Sequence, residues 1–157
     1  MPTSMRYNRN ERDAATALNT CFIKIIDHIE SKKNEVDFDH WSKRIMINHL
    51  IDEFRKTKRR RDIQVAIDPA DLQMHSTDFD QNLGEESLRA ESILKLIQQL
   101  DEPGRTIFNM HAIEGYSHDE IAKALGIRTE NSRYHLHAAR KRLQAQIEKK
   151  ENHTKSV

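Results

Sequence analysis

Apolar residues recur at helical spacing along almost the whole chain, and the breaks in that rhythm divide it. Across residues 10–29 they fall at Ala14, Leu18, Phe22, Ile25, Ile26 and Ile29, which predicts one amphipathic helix with this stripe as its apolar face. Residues 31–36 are polar and predict a loop. Asp37 then stands where a carboxylate can accept the first free backbone N–H groups of a helix. That helix carries Phe38, Trp41, Ile45, Leu50 and Phe54, with Ile47, Leu50, Ile51 and Phe54 as its core face. From about residue 62 to residue 84 the periodicity is lost and Pro69 intervenes, which predicts an extended linker. Periodicity returns near residue 85 with Leu88, Ile93, Leu96, Ile97 and Leu100. Asp101-Glu102-Pro103 is a helix start, because proline is tolerated in the first turn. The helix it opens is expected to end near Gly115. Ser117 and Glu120 have the spacing of a capping box, Gly126 suits the left-handed residue that ends a helix, and a last helix is expected over residues 129–149. With four glycines and three prolines in 157 residues, the fold class is all-α: two small helical domains joined by a linker.

The last two helices have the form of a helix-turn-helix. Ala122 is small where two helices must approach, Gly126 makes the turn, and Ile121, Leu125 and Ile127 lock the pair. In the final helix Leu136, Ala139, Leu143 and Ile147 form one apolar stripe. Glu130, Arg133, Tyr134, His137, Arg140 and Lys141 recur on roughly the opposite side. A merely solvated face tends to mix signs from turn to turn. This one has a single acid at its start and is basic thereafter, which favours contact with DNA phosphates and base edges. A second stripe, Trp41, Ile45, Asn48, Asp52 and Arg55, changes from apolar to polar along its length. Two readings stay open for it: an intrahelical pair of Asp52 with Arg55 or Lys56, or a reader of bases and backbone leading into the basic run that follows.

Charge sharpens this picture. Lys plus Arg number 26 and Asp plus Glu 25, a formal net charge of +1, yet the charges are segregated. Residues 55–61 hold six bases, residues 62–91 hold eight acids against one base, and residues 128–150 return to seven bases against two acids. The single cysteine, Cys21, excludes an internal disulfide framework; it suits a reducing cytoplasm and reads as a small buried hydrophobe. No signal-peptide core and no membrane-length apolar run is present, so a soluble, cytoplasmic protein is expected. Nothing in the sequence suggests an enzyme, a cofactor or a metal site. There is no phosphate-cradling glycine loop, the helix start at His118 lacks the second histidine of a zinc motif, and His135 and His137 point to different sides of a helix.

Two blocks of residues resemble a known family. Phe38-x-x-Trp41-x-x-x-Ile45-x-x-Asn48-x-x-x-Asp52-x-x-Arg55 is similar to region two of extracytoplasmic-function sigma factors. Leu100-x-x-x-x-Arg105-x-x-Phe108, Glu114-Gly-Tyr-Ser-His-Asp-Glu-Ile-Ala and the final helix resemble region four. Ser132-Arg-Tyr-His-Leu136 also resembles a subgroup frequent in Bacteroidetes. The resemblance implies a region-two domain at 1–61, an acidic linker at 62–86 that threads near the RNA exit path, a region-four domain at 87–150 and a tail at 151–157. It implies that Trp41, Asn48, Asp52 and Arg55, with the 31–36 loop, hold unstacked bases of the minus-ten element, and that Lys56, Lys58, Arg59, Arg60 and Arg61 hold the strand's phosphates. Glu130, Arg133, Tyr134, His137, Arg140 and Lys141 would read the minus-thirty-five element. Thr16, Asn19 and Phe22 would meet polymerase. The implied partners are the RNA polymerase core (clamp helices and flap of the large subunits), promoter DNA and an anti-sigma factor. The chain also departs from the family. Against the family pattern the first helix of region two is expected to be largely absent from this sequence, and Thr16 and Asn19 stand where an acidic residue and Gln are usual. Arg128 replaces a capping Ser, so Thr129 is expected to take the cap. Ser132 replaces an apolar residue, which is expected to loosen the helix pair slightly. The alternative reading is a helix-turn-helix regulator that acts on duplex DNA without polymerase core.

Overall fold

The computed structural model describes residues 3–65 and 85–154, and among them every regular element is helical. The described residues divide into two compact units, one over residues 3–65 and one over residues 85–154.

The first unit contains α1 (Thr3–Tyr7), α2 (Glu11–His28), a short 3-10 turn at Ile29–Ser31, and α3 (Phe38–Val65). Asn10 caps α2 by accepting the Asp13 amide at 2.8 Å, and Glu11 and Asp13 place negative charge at the positive end of the helix. Asp37 caps α3 as expected, its Oδ2 accepting the amides of Asp39 (3.1 Å) and His40 (3.3 Å). The expected apolar face of α2 is corrected by the structure. Ala14, Ala17 and Cys21 are buried against α1 and α3, whose Tyr7, Ile47, Leu50, Ile51 and Phe54 complete the core. Leu18, Phe22, Ile26 and Ile29 are about half exposed or more, at 48%, 62%, 55% and 50%. Small residues at a 14, 17, 21 spacing let the helices approach closely, and the larger side chains flank that seam. Cys21 is fully enclosed, and burial pushes its thiol pKa up with Lys24 opposing, the state of an unreactive buried thiol.

His49 of α3 is also buried, and Lys24 Nζ donates to its Nδ1 at 3.3 Å. Burial first, then the Lys24 charge, lowers the His49 pKa, so the folded unit holds this ring neutral. A histidine whose pKa is depressed on folding contributes stability that is present above its unfolded pKa and lost as pH falls towards the folded one. Chemical unfolding of this unit is therefore expected to become easier from pH 7 to pH 5, and His49→Gln to flatten that profile. Parallel native and variant profiles would remove His49 as the cause.

The second unit contains α4 (Glu85–Gln98), α5 (Glu102–Phe108), a wide π-type turn at Asn109–Ile113, α6 (His118–Leu125) and α7 (Thr129–Thr154). Leu96, Ile97 and Leu100 enter the core as expected, whereas Ile93 is half exposed and the Leu88 side chain lies outside the described residues. Asp101 caps α5 by accepting the Gly104 amide at 3.4 Å. The expected single helix to Gly115 instead widens at Asn109–Ile113, where the Glu114 amide reaches back five residues to Asn109 and the Tyr116 amide six to Met110. The capping box forms: Ser117 Oγ accepts the Glu120 amide at 3.3 Å, and Glu120 Oε2 accepts the Ser117 amide at 2.8 Å. Gly126 adopts φ 64°, a conformation that favours glycine, and turns the chain into α7. Ile107, Met110, Ile121, Leu125, Leu136 and Ala139 fill the core. Leu143 is half-buried, and Ile147 at the end of the stripe is exposed. Helix α3 runs four residues past 61 and α4 begins at Glu85, so the expected linker at 62–86 is helical at both ends; its middle, 66–84, lies outside the described residues.

Candidate nucleic-acid interface

Helix α7 presents two opposed faces. Ser132, Leu136 and Ala139 point into the unit and are buried. Glu130, Arg133, Tyr134, His137, Arg140 and Lys141 are all exposed. At 100° per residue these six span an arc of about 120° on the side away from the core. Tyr134 is 70% exposed and meets the His135 ring edge-on, with centroids 5.4 Å apart. The face thus offers three cations, two aromatic rings and one carboxylate, a set suited to phosphates and base edges.

Side chains that sequence reasoning did not assign seat this helix on α6. Thr129 does not cap α7. Its hydroxyl donates to Asp119 Oδ1 at 3.0 Å, tying the start of α7 to α6. Ser132 is fully buried, and its hydroxyl lies 2.9 Å from His118 Nδ1, so this position is bonded rather than loosened. The His118 ring stacks on His111, with centroids 4.4 Å apart and planes 17° from parallel. His111 Nδ1–H in turn donates to the Tyr116 carbonyl at 2.8 Å. Burial first, then the charges of His111, Arg133 and Arg140, lowers the His118 pKa, with Asp119 opposing. The only sequence signal for these contacts was a polar residue at a position facing the core.

In the first unit Asn48 and Asp52 are exposed, while Trp41 and Arg55 are half-buried. Trp41 rests beside Phe38, with ring centroids 5.9 Å apart. Asp52 and Arg55 approach to 3.7 Å, so the intrahelical pair exists; Lys56 is bound by Glu53 at 2.7 Å and not by Asp52. The side chains of both pairs are roughly half solvent-accessible, and such surface pairs stabilise a helix by about 0.3–0.5 kcal/mol, little enough to exchange for another anion. Helical geometry sets Lys56 and Arg59 within about 60° of the Trp41–Asn48–Asp52 stripe but turns Lys58 roughly 100° aside, where it is half-buried. The side chains of Arg60 and Arg61 lie outside the described residues. On α2, Thr16, Asn19 and Phe22 are exposed, as are Leu18, Ile23, Ile26 and Ile29 nearby, so an outward apolar face accompanies the three residues. Among the described residues no three His, Cys, Asp or Glu side chains are grouped to hold a metal ion, and no described helix is long and apolar enough to cross a membrane.

Residues 90–143, which contain this helix pair, match the family model of sigma-70, region 4. No curated protein matches the chain. Among solved structures, the chain is similar to the co-crystal structure of the sigma factor RpoE in complex with the anti-sigma factor NepR from Bartonella quintana. The TM-score is 0.55 at 16% identity, over 92% of this chain and 87% of that one. At that identity the likeness is one of fold, and it extends well beyond the segment matched by the family model.

Proposed function

We infer that the chain is an RNA polymerase sigma factor of the extracytoplasmic-function type, because residues 90–143 match the sigma-70, region 4 model within a chain-long fold similar to that of a sigma factor structure. The observation that carries this reading is the coincidence of the family match with a helix-turn-helix whose outward face is basic and aromatic. A sigma factor makes and breaks no covalent bond. It selects where polymerase starts, so its chemistry is recognition.

On this reading α7 enters the major groove of the minus-thirty-five element. Arg133, Tyr134 and His137 meet base edges, Glu130 accepts from a base amine, and Arg140 and Lys141 set the helix against the backbone. Domain 1–61, as region two, opens the minus-ten element. Unstacking a base costs a few kcal/mol, which contacts from Trp41, Asn48 and Asp52 must offset. Arg55, Lys56 and Lys58 to Arg61 hold the phosphates. Thr16, Asn19 and Phe22, extended by the apolar face of Leu18, Ile26 and Ile29, meet the polymerase core. The similar structure pairs a sigma factor with an anti-sigma factor, and an anti-sigma partner belongs to this proposal.

Run-off transcription from genomic promoter fragments tests the reading, using core RNA polymerase with and without the chain. Initiation should require both components and fall roughly tenfold or more when Arg133 or Asn48 becomes Ala, each such base contact contributing about 1–3 kcal/mol. Binding to duplex DNA alone, with no programming of polymerase, would transfer the assignment to the regulator alternative.

A further inference from the structure

The recognition helix is held against α6 at two points, one turn apart. Asp119 and His118 are adjacent residues at the start of α6, and they bond Thr129 and Ser132, which are three residues apart on one face of α7. Apolar packing sets how closely two helices approach and part of their mutual rotation. Directional bonds at two levels add a further constraint on the roll of one about its own axis. Roll is the coordinate that matters for reading, because Arg133 and Tyr134 directly follow Ser132, and reading groups must be held within about 0.5 Å and 10–20° of their working geometry.

The His118–Ser132 contact is the firmer of the two. Ser132 is fully buried in the folded unit, so its hydroxyl depends on this bond for as long as a side chain covers it. The imidazole is itself fixed from behind, by the stack on His111 and by the His111 bond to the Tyr116 carbonyl. His111 stands in the π-type turn, whose extra backbone residue carries its ring over the first residue of α6. A chain of contacts therefore runs from Tyr116 through His111 and His118 to Ser132, one residue short of the reading side chains.

We propose that His118 and Ser132, backed by His111 and assisted by Asp119 and Thr129, are positioning residues for promoter recognition: they fix the roll of α7 so that Arg133, Tyr134 and His137 meet base edges in register. The proposal deepens the sigma-factor reading of the same helix and rests on it.

The test uses the full chain with polymerase core on a pool of promoter-length duplexes randomised across the minus-thirty-five element, with retained sequences counted. The native protein should give defined base preferences. His118→Phe keeps a stacking ring but loses the bond. It should flatten preference roughly tenfold at the base pairs met by Arg133 and Tyr134, since one good base contact discriminates by about that factor or more, with total retention changing far less. His118→Asn, whose amide can still reach Ser132, should restore the native pattern. Ser132→Val, apolar but of suitable bulk, should match His118→Phe. Unchanged preference in His118→Phe, or a loss spread evenly over all positions and tracking a lowered melting temperature, would overturn the positioning role. Absence of any minus-thirty-five preference in the native protein would overturn the promoter reading itself.

Discussion

Arg105→Met should lower the stability of the C-terminal unit by about 3 kcal/mol while leaving the N-terminal unit unchanged. Arg105 is 6% exposed, and its Nη1 donates to the carbonyls of Leu100 at 2.9 Å and Gln98 at 3.2 Å. Those carbonyls belong to the last turn of α4 and the residues just beyond it, where a helix leaves its acceptors without internal partners. The guanidinium therefore closes the end of α4 from the first turn of α5. Hydrogen bonds to charged groups contribute about 1.5–3 kcal/mol each, and a buried acceptor left unpaired costs about 1–3 kcal/mol. Met retains the apolar stem and removes the donors, so the effect isolates the bonds from the packing. Amide exchange followed by mass spectrometry separates the units. Peptides from α5 to α7 should lose protection equivalent to about 3 kcal/mol, and those from α2 and α3 none. A change below about 0.5 kcal/mol in α5 to α7 would show that water replaces the guanidinium without cost. In the sequence Arg105 was one residue of a family-like pattern; in the fold it joins two helices.

The features legible in the sequence are those whose cause lies within about four residues. Asp37, the Asp101 and Pro103 start, the Ser117–Glu120 box and Gly126 each act on their own turn, and each stands where expected. The outward face of α7 was legible for the same reason, since a helix's own period fixes which residues share a side. What was hidden depends on distant partners. In α2 two apolar stripes run side by side, and only the distance of approach to α3 decides that Ala14, Ala17 and Cys21 enter the seam while Phe22 stays out. Helix α3 continues to Val65, past the point near residue 62 where the apolar periodicity fades, because a helix need not stop where its apolar stripe does. The π-type turn carries no proline or glycine to announce it. Thr129 looked like a cap and Ser132 like a flaw because their partners, Asp119 and His118, lie 10 and 14 residues away.

Neutralising Lys56, Lys58 and Arg59 together with Gln should weaken promoter binding by the polymerase complex roughly 50- to 150-fold near 0.15 M salt. Each phosphate contact releases about 0.7–0.9 of a counterion, equivalent to about 1 kcal/mol at that ionic strength. The slope of log affinity against log salt should fall in magnitude by about 2–3. The three cations are unequal, and the fold says how. Arg59 lies on the stripe of Asn48 and Asp52, whereas Lys58 is half-buried and turned aside, so Arg59→Gln alone should cost more than Lys58→Gln. Lys56 must first leave Glu53, whose carboxyl is held below the usual range chiefly by the hydrogen bond from Lys56. Breaking an exposed pair of this kind costs only about 0.3–0.5 kcal/mol, so Lys56 remains available to phosphate at a small discount. Glu53→Gln should then tighten binding slightly, by freeing Lys56 and removing a negative charge from the surface proposed to face DNA. Parallel salt plots for the native and triple-variant complexes would mean that these cations never reach the backbone. The cluster would then act as a solvated helix end, and strand capture would fall to Arg55, Arg60 and Arg61.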